Sequence, residues 1–454
     1  MHTFDEDAQA LTRDVVDYAV RRLAMDPPTI DGPRTREELE REVPQTITEE
    51  GIGGQAALRL FEDVLAPACI SIDHPGYFSF IPAAPTQAAS AFDLVVSASS
   101  IYGGSWLEGA GAVYAENQVL DWLAREAGLP EGAGGVFAQG GTVGNLSALV
   151  TARYVARHAR TEAGRAMPAR WAIVCSEEAH SSITAAAAVM DVDVIKVPVG
   201  DSGKLTGEAI EKAVTDWDSV FAIAATGGTT NFGIVDDLDS IADSAEKHGV
   251  WLHVDGAYGL AGMLSPRHRH LYRGIERVDS FIVDPHKWLF APFDACALIY
   301  RHPQQARAAH TQHAEYLDLL NESPEWNPSD YAVNLTRRAR GLPLWFSLAT
   351  HGVGAYREAV AHGIDTAHAF AEEVRTRPFV SLVREPELSV VVVEREGWSA
   401  KDYEEWANAH LASGKAFLFP SSYRGRPVMR FAVVNPRSPL ELLVELLDSM
   451  SDKQ

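Results

Sequence analysis

The sequence has few cysteines: only Cys69, Cys175 and Cys296 occur among its 454 residues. They lie far apart and form no C-x-x-C pair, which argues against a disulfide framework and against a zinc knuckle. Sparse cysteine is typical of a reducing compartment, so we expect a cytoplasmic protein. The acidic N-terminus also lacks the basic and then apolar pattern of a secretory signal.

Basic residues are outnumbered, since 39 Lys and Arg face 62 Asp and Glu and the net charge is −23. A chain this acidic lacks the basic footprint that nucleic-acid binding needs. No stretch approaches the ~18 uninterrupted apolar residues of a membrane span. We therefore expect neither a nucleic-acid partner nor a membrane partner. Hydrophobic residues nevertheless make up 46% of the chain, which is typical of a folded protein with a large core.

The pattern along the chain predicts three parts. Residues 1–85 form an N-terminal helical segment, residues 86–344 a large domain, and residues 345–454 a smaller C-terminal α+β domain. Within the large domain, short apolar runs alternate with helical stretches such as Asn145–Ala159 and Ile234–His248. This alternation predicts an α/β fold with a mainly parallel, seven-stranded sheet flanked by helices. The predicted strands are Gly135–Ala138, Trp171–Cys175, Val192–Val197, Val220–Ala225, Trp251–Val254, Ser280–Val283 and Ala295–Tyr300.

A glycine-rich turn, Gln139-Gly-Gly-Thr-Val-Gly-Asn145, lies between a predicted strand and a predicted helix. Backbone N–H groups at a helix start, approached closely because of the glycines, suit a phosphate. Gln139 replaces the first glycine of a dinucleotide fingerprint, and no Gly-Lys-Ser/Thr follows, so neither an NAD site nor a Walker loop is predicted. The alternative is a plain strand-to-helix turn.

Lys287 stands in the string Val283-Asp-Pro-His-Lys-Trp288, directly after an apolar strand. Apolar and cationic neighbours disfavour the charged form of a lysine, which makes its amine a nucleophile for a Schiff base. The alternative, a solvated surface lysine, fits poorly before Trp-Leu-Phe.

Asp255 and His180 follow two other predicted strands. Asp255 ends an apolar run, at the edge where ligands of open α/β sheets bind. Its carboxylate could pair with a protonated pyridine nitrogen and make that ring an electron sink, whereas the alternative is a helix N-cap. His180 could stack on a planar cofactor and donate a proton. A metal site built from His268, His270 and His286 is not predicted, because no carboxylates or cysteines accompany the first two.

These four sites together fit one task, which is to hold and use pyridoxal phosphate. At these motifs the sequence resembles the pyridoxal-phosphate-dependent group II decarboxylases, whose best-known members are aromatic-L-amino-acid decarboxylases. The resemblance runs from about His74 to Val434. It implies the aspartate aminotransferase fold (fold type I), pyridoxal 5'-phosphate (PLP) as cofactor, an amino acid as the small-molecule substrate, and a homodimer.

The resemblance also implies roles for single residues. Lys287 matches the lysine that holds the cofactor as a Schiff base, Asp255 the partner of the pyridine nitrogen, and His180 the stacking histidine. The other matching positions are Gly141 and Thr142 at the phosphate, Thr229 near the ring, Ala257 under the ring, and His286 before the lysine. Asp284 stands where relatives often carry Asn or Ser, and its charge would repel a phosphate.

On the substrate side, the segment from His74 to Pro82 resembles the family segment that lines the pocket. The predicted pocket residues are Tyr77, Phe80, Ile81, Pro82 and Trp106. Their aromatic and apolar side chains suit an aromatic substrate. Gly104 stands where aromatic-specific relatives often carry a phenylalanine, so we expect a roomier or differently shaped pocket.

Relatives carry a tyrosine on a mobile loop that protonates the substrate carbon after decarboxylation. Without gaps its place falls on Pro328, whereas a three-residue deletion would align Tyr331 instead. We therefore expect an amino-acid decarboxylase with Lys287, His180, Asp255 and Tyr331 as its catalytic residues. If the tyrosine is absent, the resemblance favours an aldehyde synthase. A decarboxylase of acidic or diamino acids and a catalytically silent cofactor-binding protein also stay open.

Overall fold

A seven-stranded sheet organises the middle of the chain in the computed structural model, which describes residues 2–81, 84–312 and 324–451. Its strands are β1 (Gly134–Ala138), β2 (Ala172–Ser176), β3 (Asp193–Val197), β4 (Val220–Thr226), β5 (Trp251–Asp255), β6 (Ser280–Val283) and β7 (Cys296–Tyr300). They are ordered β1-β7-β6-β5-β4-β2-β3, and β7 runs opposite to the other six. The predicted α/β fold with a mainly parallel sheet is confirmed.

The central strands are short, almost entirely apolar runs that are buried on both faces, as a parallel sheet covered by helices requires. Their register brings the strand ends together, because Thr226 of β4 lies opposite Asp255 of β5. Asp255 in turn lies opposite Ile282 of β6. The carboxyl ends of three neighbouring strands therefore meet at one edge of the sheet.

Some helices precede the sheet and others alternate with its strands. They are α1 (Glu6–Leu23), α2 (Arg36–Glu42), α3 (Gly54–Leu60), α4 (Gln87–Ser99), α5 (Trp106–Ala127), α6 (Gly141–Glu162), α7 (Ser181–Met190), α8 (Gly207–Ala213), α9 (Leu238–His248) and α10 (Pro303–His310). Residues of β5 alternate between two buried apolar clusters: Leu252 and Val254 join one cluster and Trp251 the other. Helices α6 and α7 pack on the side of the Trp251 cluster.

Helix α9 begins at Leu238, four residues later than the predicted start at Ile234. The preceding residues are held in an extended course by other contacts. The backbone of Ile234 pairs with that of Thr229, and the buried carboxylate of Asp236 accepts hydrogen bonds from the backbone of Leu205 and Thr226. The apolar periodicity of the sequence therefore extends into residues 234–237, which form a loop in the structure.

The C-terminal part has its own antiparallel sheet, ordered β10-β11-β9-β8. Its elements are α11 (Leu342–Arg375), β8 (Val380–Leu382), β9 (Val390–Arg395), α12 (Ala400–Ala412), β10 (Pro420–Tyr423), β11 (Arg426–Ala432) and α13 (Leu440–Asp448). Helix α11 packs against α4 and α5 of the large domain and against β8 and β9 of the small sheet. The boundary expected between residues 344 and 345 falls in the first turn of this helix and stays a prediction. Among the helices of the described ranges, none has the length and apolarity needed to cross a membrane.

Candidate active site

The carboxyl ends of β4, β5 and β6 and the start of α6 enclose a cavity of about 410 Å³. Ligands of parallel α/β sheets bind at this edge, outside the ends of the strands. The structure brings the whole sequence-predicted cofactor set to the wall of this cavity. The set consists of Gly141, Thr142, His180, Thr229, Asp255, Ala257, His286 and Lys287.

Lys287 lies in the turn after β6, with its Nζ 3.0 Å from Oδ2 of Asp284. Burial favours the neutral amine, but the carboxylates of Asp284 and Asp255 outweigh it, so the pKa of Lys287 is raised above its ordinary value. The expectation that the surroundings disfavour the charged form is therefore wrong. The reason is a carboxylate three residues before the lysine, whose attraction for the ammonium exceeds the effect of the apolar neighbours.

Asp284 is itself enclosed, since its side chain is 2% exposed. Oδ2 faces Lys287, and Nε2 of His286 lies 3.7 Å from the same oxygen. Oδ1 is buried and receives no hydrogen bond from the described residues. Burial, and then the charge of Asp284, raise the pKa of the nearby Cys296 thiol well above its ordinary value. The ammonium of Lys287, 3.0 Å from Oδ2, compensates the negative charge of this buried carboxylate.

Asp255, the last residue of β5, is 6% exposed and has a donor on each oxygen. Oδ2 accepts a hydrogen bond from Nδ2 of Asn145 at 2.8 Å, and Oδ1 accepts one from the backbone N–H of Ala257 at 3.2 Å. The two donors fix the plane of the carboxylate at the cavity wall. An anion held in this way suits a positively charged ring nitrogen.

His180 caps the N-terminus of α7, where Nδ1 accepts a hydrogen bond from the backbone N–H of Ser182 at 3.2 Å. Oγ of Ser182 lies 2.9 Å from the same nitrogen. The ring is exposed to the cavity. The capping contact fixes the ring from one side and leaves Nε2 for a group bound in the cavity.

The start of α6 supplies the anion site that the glycine-rich turn predicts. Gly140 precedes the helix and offers no side-chain cap, so N–H groups of the first turn remain available to an anion. A Cβ atom on Gly141 would lie 3.1 Å from Oδ2 of Asp284 and 3.3 Å from Cβ of Ala257. The glycine therefore lets the backbone approach the cavity closely.

The remaining predicted residues of this wall are held by backbone contacts. Thr229 is 3% exposed, and its Oγ1 accepts a hydrogen bond from the backbone N–H of Ile234 at 3.1 Å. Nδ1 of His286 lies 2.7 Å from the carbonyl oxygen of Ala295, and burial lowers the pKa of this histidine. An amine, a carboxylate and an uncapped helix start thus share one cavity, which fits the aldehyde, ring nitrogen and phosphate of PLP.

Sequence reasoning missed three polar residues here: Asn145 and Ser182, which line the cavity, and His253 behind them. Two of them carry a signal that could have found them. His253 is two residues before Asp255 on a strand, so both side chains point to the same face. Asn145 is four residues after Gly141 on a helix, which places it on the same side one turn further on.

In the described part of the chain, Tyr331 is not among the residues that line the cavity. It is 5% exposed, its ring stacks on Trp326 with 4.1 Å between centroids, and its carbonyl accepts a hydrogen bond from Tyr300. Burial raises the pKa of Tyr331 to about 12, which keeps its phenol protonated. The structure therefore does not bring this predicted catalytic residue to Lys287.

Four predicted pocket residues also lie away from the cavity wall. Tyr77 packs on Phe417 of the C-terminal part, with 5.0 Å between ring centroids, and Phe80 is 55% exposed. Ile81 belongs to the large apolar core, and Trp106 begins α5. The fifth, Pro82, lies outside the described residues.

Gly104 does not enlarge a pocket in the way the sequence suggests. A Cβ atom at this position would collide with the ring of Tyr102. The hydroxyl of Tyr102 donates a hydrogen bond to the carbonyl of Leu335 at 3.1 Å, which holds the ring in place. The space that a larger side chain at 104 would take is therefore filled by its neighbour.

Comparison with known proteins agrees with this site. Residues 37–395 match the family described as "Pyridoxal-dependent decarboxylase conserved domain". The chain is 28% identical to aromatic-L-amino-acid decarboxylase of Bacillus atrophaeus, over 90% of this chain and 87% of that protein. It is 27% identical to histidine decarboxylase of Rattus norvegicus, over 94% of this chain and 68% of that protein.

The fold is similar to that of Oryza sativa TDC, solved with PLP and tryptamine. The two structures superpose with a TM-score of 0.90 at 25% sequence identity, over 99% of each chain. The matched family covers well over half of the sequence, and it includes all eight residues of the predicted cofactor set. The chain therefore belongs to the pyridoxal-dependent decarboxylase family, and it is a PLP-dependent carboxy-lyase.

Proposed function

We propose that the protein decarboxylates an L-amino acid with an aromatic side chain. The amino acid and one proton give the amine and carbon dioxide. The observation that carries this proposal is the cavity that Lys287, Asp255 and the uncapped start of α6 share. A cofactor bound there would be held at three points, so the substrate carboxylate could be oriented relative to the cofactor ring.

Each residue of the cavity has a separate task in this proposal. Lys287 would bind the aldehyde carbon of PLP, Asp255 would pair with the ring nitrogen, and Gly141 and Thr142 would bind the phosphate. His180 would contact the ring, with its proton on Nε2. When bound, PLP supplies an electron sink for the carbon that loses its carboxylate.

An aromatic substrate is supported by the similarity to aromatic-L-amino-acid decarboxylase, since the exposed rings before α4 lie away from the cavity wall. Phe80 is 55% exposed and stacks on Phe419, which is 57% exposed, with 5.7 Å between ring centroids. The carbonyl of Phe80 accepts a hydrogen bond from the buried guanidinium of Arg430 at 2.5 Å.

The test is product identification. The purified chain is incubated with PLP and a mixture of aromatic, acidic and diamino amino acids together with histidine, and carbon dioxide and products are measured by mass spectrometry. We expect an arylalkylamine as the main product, and a Lys287→Ala variant should give none. An amine derived only from an acidic or diamino acid would refute the aromatic assignment, and no carbon dioxide from any amino acid would refute the reaction.

The buried position of Tyr331 favours a second candidate, the oxidative reaction of an aldehyde synthase. In that reaction the amino acid, oxygen and water give the aldehyde, carbon dioxide, ammonia and hydrogen peroxide. The two reactions differ in oxygen uptake, which an oxygen electrode measures during turnover. Amine without oxygen uptake excludes the second candidate, whereas aldehyde formed with one oxygen per carbon dioxide replaces the first.

The family resemblance also implies a homodimer, which we include in the proposal. Apolar side chains remain exposed on α4 and α5: Leu94 and Val95 are each 48% exposed, Leu107 78% and Tyr114 60%. Apolar surface of this kind is typical of a subunit interface. Light scattering after size exclusion is expected to give twice the chain mass of 49.4 kDa, and a monomer at micromolar concentration would refute the dimer.

A further inference from the structure

Asn145 lies at the cavity wall, at the centre of a buried chain of hydrogen-bonded side chains that extends behind it. The chain begins at the indole of Trp251 and divides at Asn145 toward Asp255 and His180. Its inner members are almost fully enclosed: His253 and Ser280 are 0% exposed, Asn145 1% and Ser182 2%. Since buried polar groups need partners, the direction of every hydrogen bond in this chain can be deduced.

The hydrogen bond at the Trp251 end has a fixed direction. An indole N–H can only donate, and Nε1 of Trp251 lies 2.8 Å from Oγ of Ser280. Oγ of Ser280 accepts from Trp251 and lies 2.9 Å from Nδ1 of His253, where it can donate its own hydrogen or accept a second one. Burial lowers the pKa of His253 to about 4, although the charge of Asp255 opposes this, so the ring is neutral. A neutral ring that accepts at Nδ1 carries its proton on Nε2.

The amide of Asn145 decides between these two, because the Asp255 carboxylate accepts and therefore faces Nδ2, which leaves Oδ1 for His253. Nε2 of His253 lies 2.8 Å from Oδ1 of Asn145, so this oxygen accepts. Nδ2 then faces the other way, and its two hydrogens have two acceptors. One is Oδ2 of Asp255 at 2.8 Å, and the other is Oγ of Ser182 at 2.9 Å.

The second branch ends at His180. Since Oγ of Ser182 accepts from Asn145, its hydrogen is free for Nδ1 of His180, 2.9 Å away. The backbone N–H of Ser182 donates to the same nitrogen. Nδ1 of His180 is therefore an acceptor twice over, and in the neutral ring the proton lies on Nε2.

We propose that Asn145 is a positioning residue whose single amide aligns Asp255 and the Ser182–His180 pair, the groups on two sides of the bound cofactor ring. This inference rests on the proposed function for the roles of Asp255 and His180. The chain of donors itself is a property of the protein without cofactor. It makes the contact with Asp255 depend on a hydrogen at position 145, not only on the shape of the side chain.

The test removes the donated hydrogen of Asn145 while keeping a side chain of similar size. In Asn145→Asp the introduced carboxylate still accepts from His253, but when ionised it faces the Asp255 carboxylate without a proton between them. Two carboxylates that share a site repel each other unless one of them is protonated. In Asn145→Leu, the matched control, position 145 has similar size and can never donate. Among the described residues, the charged or titratable groups around this position are Asp255, His253 and His180, with Lys287, Cys296 and Asp284 next to Asp255.

The dissociation constant of PLP is measured for each protein from pH 6 to pH 9 and divided by the wild-type value at the same pH. Loss of a hydrogen bond to a charged group is expected to weaken binding roughly tenfold to a hundredfold. We expect this loss for Asn145→Leu at every pH. For Asn145→Asp we expect binding to approach the wild-type value as the pH falls, because the protonated acid donates again. Wild-type binding by Asn145→Leu, or an Asn145→Asp variant equal to Asn145→Leu at every pH, would overturn the proposal.

A second measurement needs no variant at position 145 and no cofactor. In protein labelled with ¹⁵N-histidine, long-range proton–nitrogen spectra show which ring nitrogen carries the hydrogen. The signal of His253 is identified by its loss in His253→Gln. We expect a neutral ring at pH 7 with the proton on Nε2, and a proton on Nδ1 would reverse the deduced direction and refute the inference. Failure of the wild-type chain to bind PLP would instead refute the assigned cofactor site and leave this result untouched.

Discussion

Asp284→Asn tests how the charge of Lys287 is controlled. A lysine attacks an aldehyde only as the neutral amine. Asp284 attracts the ammonium form across 3.0 Å and so opposes the reaction that the site must perform to load its cofactor. Asparagine keeps the size and one acceptor oxygen but removes the negative charge. We therefore expect the variant to take up PLP faster than the wild type at neutral pH.

The expected change in rate follows from the contact between Asp284 and Lys287. A hydrogen bond between charged groups contributes about 1.5–3 kcal/mol. The pair lies in an enclosed place, since the Asp284 side chain is 2% and the Lys287 side chain 26% exposed. Because about 1.4 kcal/mol corresponds to a factor of ten, the neutral fraction of Lys287 should rise roughly tenfold to a hundredfold while the ammonium predominates. Asp255 continues to stabilise the ammonium, so we expect a value near tenfold.

The assay mixes apoprotein with PLP at pH 7 and traps the adduct with borohydride at successive times. Peptide mapping confirms Lys287 as the modified residue. Asp294→Asn is the matched control, because Asp294 lines the same cavity but is 45% exposed and pairs with Arg340 at 2.9 Å. An unchanged or slower rate in Asp284→Asn would refute the reasoning. Equal acceleration by both variants would show that weaker repulsion of the phosphate, not the charge of Lys287, is responsible.

Three further variants test two residues of the site and one buried ion pair. Lys287→Ala should abolish carbon dioxide release while PLP remains bound without a covalent link and leaves on dialysis; retained turnover would exclude Lys287 from its role. Asp255→Asn should lower kcat by about a hundredfold or more, because the charge that stabilises the ring is lost, and a wild-type kcat contradicts this. Glu116→Gln leaves the buried guanidinium of Arg337 without an anion, so urea unfolding should show a loss of about 3–5 kcal/mol; a loss below about 1 kcal/mol would contradict it.

Local patterns in the sequence were sufficient to predict the strands of the large sheet and the cofactor residues of the cavity wall. The strand Ser280–Val283 was predicted with the bounds that the structure shows, because a buried parallel strand is a short apolar run between polar residues. Asp255 and Lys287 each follow such a run, and parallel strands end at one edge. Their meeting in one cavity is a consequence of topology, so the predicted α/β fold already implied it.

The charge of Lys287 and the hydrogen-bonded chain through Asn145 could not be predicted from local sequence patterns. Both depend on which side chains face each other in space. Nothing in the chain order shows that Asn145 of α6 reaches His253 of β5, because 108 residues separate them. Asp284 is close to Lys287 in sequence, but only the geometry shows that its oxygen faces the amine and not the solvent.

Of the two outcomes expected from Gly104, a roomier or a differently shaped pocket, the structure does not show the first, for a reason that is general to packed proteins. A larger pocket would follow only if the volume of a cavity were set by the residue at one position. Interiors are packed to nearly constant density, so a missing side chain is usually replaced by a neighbouring one. Here that neighbour is Tyr102, whose ring occupies the space and is held by the carbonyl of Leu335. Position 104 must therefore remain glycine for as long as the Tyr102 ring lies there, and Tyr102 shapes this part of the molecule.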